Sequence, residues 1–246
     1  MDMTGNTILI TGGGSGIGRG LAEALQARGN KVIISGRRAD VLEQVAAANP
    51  GMAIATLDVS DAADIARFAE AIVREHPALN VVIHNAGIMQ TEQLASADFT
   101  LNTAEATIAT NLLGPIRLNA ALLPHLLAQP KATVATVSSG LAFVPLAATP
   151  TYSATKAAIH SYSQSLRHQL RETNVEVIEI APPAVATDLM PGHAENPNSM
   201  PLDAYIAETI AQLEAQAPEN LTEKVKFLRF AEARGDYAQV FKALNG

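Results

Sequence analysis

Short β-branched segments punctuate this chain, and longer stretches of helical spacing separate them. Thr7–Thr11, Lys31–Ser35, Ala53–Leu57, Val81–His84, Thr133–Val137 and Val175–Ile180 each have the length of a strand. Between them, sets such as Leu21, Ala24, Leu25 and Arg28, or Ile65, Phe68, Ala69 and Ile72, recur at the period of one helix face. Thr7-Ile8-Leu9-Ile10 and Val81-Val82-Ile83 are apolar at nearly every position, so those strands have no face to give to water. Burial on both faces requires a parallel sheet with helices on each side. Right-handed crossovers then build an α/β fold, a doubly wound parallel sheet.

The 246 residues, 48% hydrophobic and 17% charged, suit one large domain and exclude disorder. A net charge of −7 leaves no basic surplus to neutralise phosphates, which argues against nucleic acid and anionic membranes as partners. With no cysteine, disulfides, thiolate metal sites and a cysteine nucleophile are excluded, and a reducing, cytoplasmic setting is expected. The N-terminal region has neither a basic start nor a long apolar run, so no targeting segment is expected. The apolar stretch Leu112–Ala128 is interrupted by Gly114, Pro115, Arg117, Pro124 and His125 and does not read as a membrane span. Pro191 to Pro201 reads as a surface loop before a helix of about Leu202 to Ala215, and the segment 189–216 is expected to act as a substrate loop or lid. After Pro218 the pattern is helical through Phe230, with a further short segment at Tyr237–Leu244 and no convincing seventh strand.

Chemistry gathers where strands end. The first strand runs into Thr11-Gly12-Gly13-Gly14-Ser15-Gly16-Ile17-Gly18 and at once into a helix. Glycines let backbone approach a pyrophosphate closely, and the free N–H groups of the following helix attract the anion. The spacing is T-G-x3-G-x-G rather than G-x-G-x-x-G. Tyr152-Ser153-Ala154-Thr155-Lys156 opens a later helix, where the i,i+4 spacing puts phenol and ammonium on one face. Ser139 lies 13 residues before Tyr152, at the end of the fifth strand, with Ser138 as its neighbour one step out of register.

Together these motifs resemble the short-chain dehydrogenase/reductase family in its single-domain form, over roughly Thr7 to Asp188. The resemblance implies a Rossmann-like sheet and one dinucleotide-binding and catalytic domain spanning 1–246. It implies Tyr152 as acid/base, Lys156 lowering its pKa and binding the nicotinamide ribose, and Ser139 holding the substrate oxygen. Asn111, in Ala109-Thr110-Asn111, resembles the family asparagine that helps hold a relay water. Gly12, Gly14, Ser15, Gly16, Ile17 and Gly18 would cradle the pyrophosphate. Asp58 and Val59 would meet the adenine, though an isolated aspartate at a strand end also serves as a cap or turn residue. Asn85-Ala86-Gly87 looks like the element that lies against the cofactor.

Cofactor choice turns on Ser35-Gly36-Arg37-Arg38. Gly36 stands where an aspartate for a ribose 2′-hydroxyl is expected, and Arg37 beside Arg38 suits a 2′-phosphate. NADP(H) is favoured; the lesser alternative, in which Arg37 stacks on adenine and Arg38 is a solvated charge at a helix start, leaves NAD(H) open. After the sixth strand, Ala181-Pro182-Pro183 replaces the family's usual Pro-Gly, and Pro183 fixes φ and removes a donor. Pro182, Val185 and Thr187 still fall where the family contacts the nicotinamide carboxamide.

The six histidines show no metal-binding spacing, so no metal is expected. Leu141, Phe143, Val144, Leu146, Met89 and Met190 are candidates for an apolar pocket or for ordinary packing. The expectation is an oxidoreductase interconverting a carbonyl and an alcohol on a small-molecule substrate, assembled as a homodimer or homotetramer. A nucleotide-binding sensor with the same fold and little turnover is the alternative.

Overall fold

A computed structural model describes residues 1–246. The strands are β1 (Thr7–Thr11), β2 (Lys31–Gly36), β3 (Ala53–Thr56), β4 (Leu79–His84), β5 (Ala132–Val137), β6 (Val175–Ala181) and β7 (Glu219–Leu221). All pair in parallel, in the order β3-β2-β1-β4-β5-β6-β7. The order reverses between β1 and β4. In an open α/β sheet, the crevice outside the strand C-termini at such a reversal is where ligands bind.

The side-chain alternation of the strands divides the core between two faces. Ile8, Ile10, Val81, Ile83, Ile178 and Ile180 face one side, packing with α1 (Gly16–Gln26), α2 (Ala39–Ala48) and α7 (Leu202–Glu214). Leu9, Ile33, Val82, Val134 and Val177 face the other, against α3 (Ala62–Glu75), α5 (Gly114–Leu127) and α6 (Pro150–Leu170). Such full burial explains why β1 reads as an unbroken apolar run. Helix α7 contributes Tyr205, Ile210 and Leu213 to the core, so it is packed down on the sheet.

Two elements depart from what the sequence suggests. A seventh strand does form, and Glu219, Asn220 and Leu221 pair with Glu179, Ile180 and Ala181. Its three residues carry no alternation, so the pairing comes from tertiary contact with β6. The helical run after Pro218 accordingly starts later, as α8 (Glu223–Arg229), followed by α9 (Ala231–Arg234) and α10 (Tyr237–Asn245). Between α4 (Asn102–Ile108) and α5 lies a π-helical turn, Ala109–Leu113, with Asn111 on it. Bulges of this kind inside helices often serve to aim a side chain.

Candidate active site

The turn after β1 is fixed by close packing. Gly12 has φ +68°, and a Cβ there would lie 2.9 Å from the Ala86 Cα. At Gly18 a Cβ would come within 2.3 Å of the Gly12 carbonyl oxygen and 2.4 Å of Asn85 Nδ2, so α1 approaches the turn more closely than any side chain permits. Thr11 and Asn85 staple the reversal point. The backbone N–H groups of Asn85 and Ala86 both donate to Thr11 Oγ1 at 3.1 Å, and Asn85 Nδ2 donates to the Thr11 carbonyl at 2.9 Å. Thr11 is part of the quoted motif, but its role as a two-way hydrogen-bond hub is visible only once β1 and β4 are neighbours.

Helix α1 begins at Gly16 without a side-chain cap, because Ser15 makes no capping bond. Its first N–H groups therefore lack intrahelical partners at the positive end of the helix dipole. Gly14 abuts Val41, half-buried Ile17 packs against the core, and Thr187 lies over Gly16, whose Cβ would sit 3.4 Å from it. At the end of β2, Gly36 has open space, with nothing nearer than 3.9 Å to a Cβ. Arg37 and Arg38 are both exposed, and neither guanidinium is paired with a carboxylate. These features fit a dinucleotide: uncapped amides at the start of α1 for its pyrophosphate, and an open strand end at Gly36 beside two unpaired cations.

Asp58 engages a neighbour through one carboxylate oxygen. Its Oδ1 accepts from the Ser60 N–H at 2.9 Å and from the Ser60 hydroxyl at 2.6 Å, a local turn of the type that aspartates favour. Val59 is buried under Gly114, whose Cβ would meet the Val59 carbonyl at 2.5 Å.

Ser139, Tyr152, Lys156 and Asn111 converge from three parts of the fold. Ser139 ends the strand segment after β5, Tyr152 and Lys156 lie one turn apart on α6, and Asn111 comes from the π turn. All four are buried. Ser139 Oγ accepts from the Leu141 N–H at 3.1 Å, and Ser139 is the polar neighbour that draws the Tyr152 phenol's pKa down. Lys156 Nζ donates to the Val137 carbonyl at 2.8 Å and lies 5.5 Å from the centre of the Tyr152 ring. Asn111 clasps the backbone of Ile88, with Oδ1 accepting from its N–H at 2.9 Å and Nδ2 donating to its carbonyl at 2.8 Å. A Cβ at Gly87 would lie 3.3 Å from Asn111 Oδ1 and 3.7 Å from Lys156 Nζ, so Gly87 sits between the two. The Ser138 hydroxyl is buried and has no partner.

Burial pushes the Tyr152 phenol up to about 12, against a smaller downward pull from the Ser139 hydrogen bond. Burial also brings Lys156 down to about 8. Both groups therefore carry a proton at neutral pH, before any ligand adds its own field.

The Pro182 carbonyl accepts from the Gly140 N–H at 2.8 Å, tying the β6 exit to the Ser139 loop. Val185 buries its side chain in the core and bridges Met200 through its backbone. Of the apolar pocket candidates, Val144 is core, packed with Ala231 and Val240, and Phe143 lies edge-on to His160. Leu141, Leu146 and Met190 are only partly buried, whereas Met89 is buried.

One cluster has metal-ligand chemistry: His160, Glu179 and Glu219, with ligand atoms within 4.8 Å of one another. His160 Nδ1 is already 2.8 Å from Glu179, and Arg229 donates to Glu219 at 3.2 Å, so protein groups meet these carboxylates.

Residues 6–198 match the sequence profile described as short chain dehydrogenase. An uncharacterised oxidoreductase, DltE of Bacillus subtilis, is 41% identical over 100% of this chain and 98% of its own length. Among solved structures, a short-chain dehydrogenase from Sphingobium yanoikuyae in complex with NADPH is 25% identical, with a TM-score of 0.82 over 96% of this chain and 95% of that one. One from Burkholderia cenocepacia in complex with NADP has a TM-score of 0.84 at 24% identity, covering 99% of both chains, a likeness of fold. With the profile covering most of the chain and the DltE similarity running its full length, this protein belongs to the short-chain dehydrogenase/reductase family of NAD(P)-dependent oxidoreductases.

Proposed function

We propose that this protein is an NADP(H)-preferring oxidoreductase that interconverts a ketone or aldehyde and an alcohol by hydride transfer. The observation that carries the reading is the meeting of the Ser139 hydroxyl, the Tyr152 phenol and the Lys156 ammonium beside the reversal point of the sheet. When bound, the dinucleotide supplies or accepts the hydride.

The chain's own residues do the rest. Gly12 through Gly18 and the uncapped start of α1 hold the pyrophosphate, and Arg37 with Arg38 holds the 2′-phosphate. Asp58, with the carboxylate oxygen that Ser60 leaves free, and Val59 meet the adenine. Asn85, Ala86 and Gly87 back the middle of the cofactor, while Pro182, Val185 and Thr187 border its nicotinamide end. With Leu141 donating to Ser139 Oγ, the Ser139 O–H is free to donate to the substrate oxygen. Tyr152, protonated at neutral pH, gives its proton to that oxygen as negative charge builds there. Lys156 places positive charge where the phenolate would form, and the Asn111 clasp on Ile88 fixes the wall behind it.

The segment 189–216 borders the substrate side. Exposed Ile108 and Leu113 on the long helix suit a homodimer or homotetramer, and the lack of cysteine suits a cytoplasmic location.

The test is titration of the purified protein with NADPH and NADH, followed by a turnover screen over aldehydes, ketones and diketones. Tighter NADPH binding with oxidation on some carbonyl is the expected result. Binding without turnover in either direction would favour a sensor, and no binding of either nucleotide would overturn the assignment.

A further inference from the structure

Helix α6 carries Tyr152 in its first turn, yet it lacks a cap of its own. Pro150 begins it and has no N–H, and the residue before, Thr149, is fully buried with its hydroxyl unpartnered. The cap comes from 59 residues upstream. Glu92, in the segment between β4 and α4, accepts from the Thr151 N–H at 3.0 Å through one carboxylate oxygen and from the Thr151 hydroxyl at 2.9 Å through the other. Its own N–H donates to the Ala148 carbonyl at 3.0 Å. Three hydrogen bonds thus tie one residue to the strip of chain immediately before Tyr152.

The loop from Ser139 to Tyr152 has a second anchor, at its middle. Asn245 of α10 donates to the Pro145 carbonyl at 3.1 Å and accepts from the Ala147 N–H at 2.5 Å. Asn245 therefore holds the loop's far side, while Glu92 holds Thr151, beside the phenol; the Leu146 N–H also reaches this turn, donating to Ser153 Oγ at 3.2 Å.

We propose that Glu92 is a positioning residue for Tyr152: its carboxylate caps the start of α6 and fixes where the phenol stands relative to Ser139. This rests on the reading of Tyr152 as the proton donor. A carboxylate suits the position, because it faces the unpaired N–H groups and the positive end of a 21-residue helix. Without it the first turn frays, and the phenol loses its register with the Ser139 hydroxyl while the dinucleotide cradle on β1 and α1 is untouched.

Glu92→Ala, Glu92→Gln, Asn245→Ala and Tyr152→Phe are compared with the wild type in two measurements. One is kcat and KM for NADPH-dependent reduction of a ketone that the wild type turns over; the other is amide hydrogen exchange across 149–160. Glu92→Ala should lower kcat by about tenfold or more, as misplacement of a catalytic group does. Its NADPH affinity should stay within about twofold, and its exchange should quicken at 151–153. Glu92→Gln, whose amide oxygen still accepts from the Thr151 N–H, should restore most of kcat. Asn245→Ala should act on KM for the ketone rather than on the exchange at 151–153. Wild-type kcat in Glu92→Ala, unchanged exchange at 151–153, or a loss of NADPH affinity in step with kcat would each overturn the proposal. If Tyr152→Phe keeps turnover, the proton-donor reading fails instead, and the exchange data still report whether Glu92 caps the helix.

Discussion

At Tyr152 burial and hydrogen bonding oppose each other, and burial wins, leaving a phenol that stays protonated far above neutral pH. That makes the hydroxyl itself the working part. Tyr152→Phe should lower kcat by roughly a hundredfold to ten-thousandfold, the usual worth of a positioned acid, with NADPH affinity nearly unchanged in a direct titration. Lys156 gives the pH dependence its sign. Burial depresses it to about 8, so its charge is present below that pH and lost above it. The reductive kcat should be level below about pH 8 and fall above it; a rise across the same range would contradict a role for the ammonium. Arg37 tests cofactor choice. Replacing it with Ala should weaken NADPH by about tenfold or more, the value of a charge-assisted hydrogen bond, and NADH far less. Equal losses in the two titrations would mean that Arg37 does not read the 2′-phosphate. These residues stood out in the sequence because the Tyr-x3-Lys spacing, its 13-residue interval to Ser139 and the arginines after the second strand resemble motifs of the family. Asp58 stood out less: Ser60, two residues on, takes one oxygen of its carboxylate, and spacing alone does not separate that turn from an adenine contact.

Among the elements, the junction of β1 and α1 has the least room. Gly18→Ala would drive a Cβ into the Gly12 carbonyl oxygen and Asn85 Nδ2. Overpacking of this kind costs about 1–3 kcal/mol, so thermal unfolding should move down by several degrees and NADPH affinity should fall with it. Unaltered melting and binding would show that α1 can slide away from the turn without penalty. The strands β1, β2, β4, β5 and β6 could be read from apolar runs because both faces of the sheet are covered there, whereas the edge strand β3 alternates between half-buried and exposed residues. The strand β7 could not, since Glu219-Asn220-Leu221 is extended only because β6 offers it an edge. The same limit hid the Glu92 contact: nothing within a few residues of Glu92 or Thr151 signals that a loop and a helix start meet across 59 positions.

For the whole molecule, one buried base sets part of the response to acid. His84, at the end of β4, is wholly buried with Nε2 unpartnered, and burial lowers its pKa from 6.5 to about 4. The unfolded chain binds this proton below pH 6.5 while the folded one resists it until about 4, so stability falls as pH drops through that window. The shift corresponds to a loss on the order of 3 kcal/mol. Asp2 and Asp64 are held below 3.8 by Lys131 and by the Asp58 N–H with Arg67, so their own losses come in stronger acid. Urea unfolding of the wild type and His84→Asn between pH 4 and 7 should show a shallower decline in the variant; equal slopes would place the acid sensitivity elsewhere. The central claim, hydride transfer to a carbonyl with Tyr152 giving the proton, is tested most directly with NADPH deuterated at the transferring carbon. The wild type and Tyr152→Phe are each incubated with pooled ketones and aldehydes, and the alcohols are weighed by mass spectrometry. The account predicts one deuterium on the carbinol carbon of at least one alcohol made by the wild type, and little or none of that product from Tyr152→Phe. Alcohol formed without deuterium, or formed as fast by the variant, would contradict it.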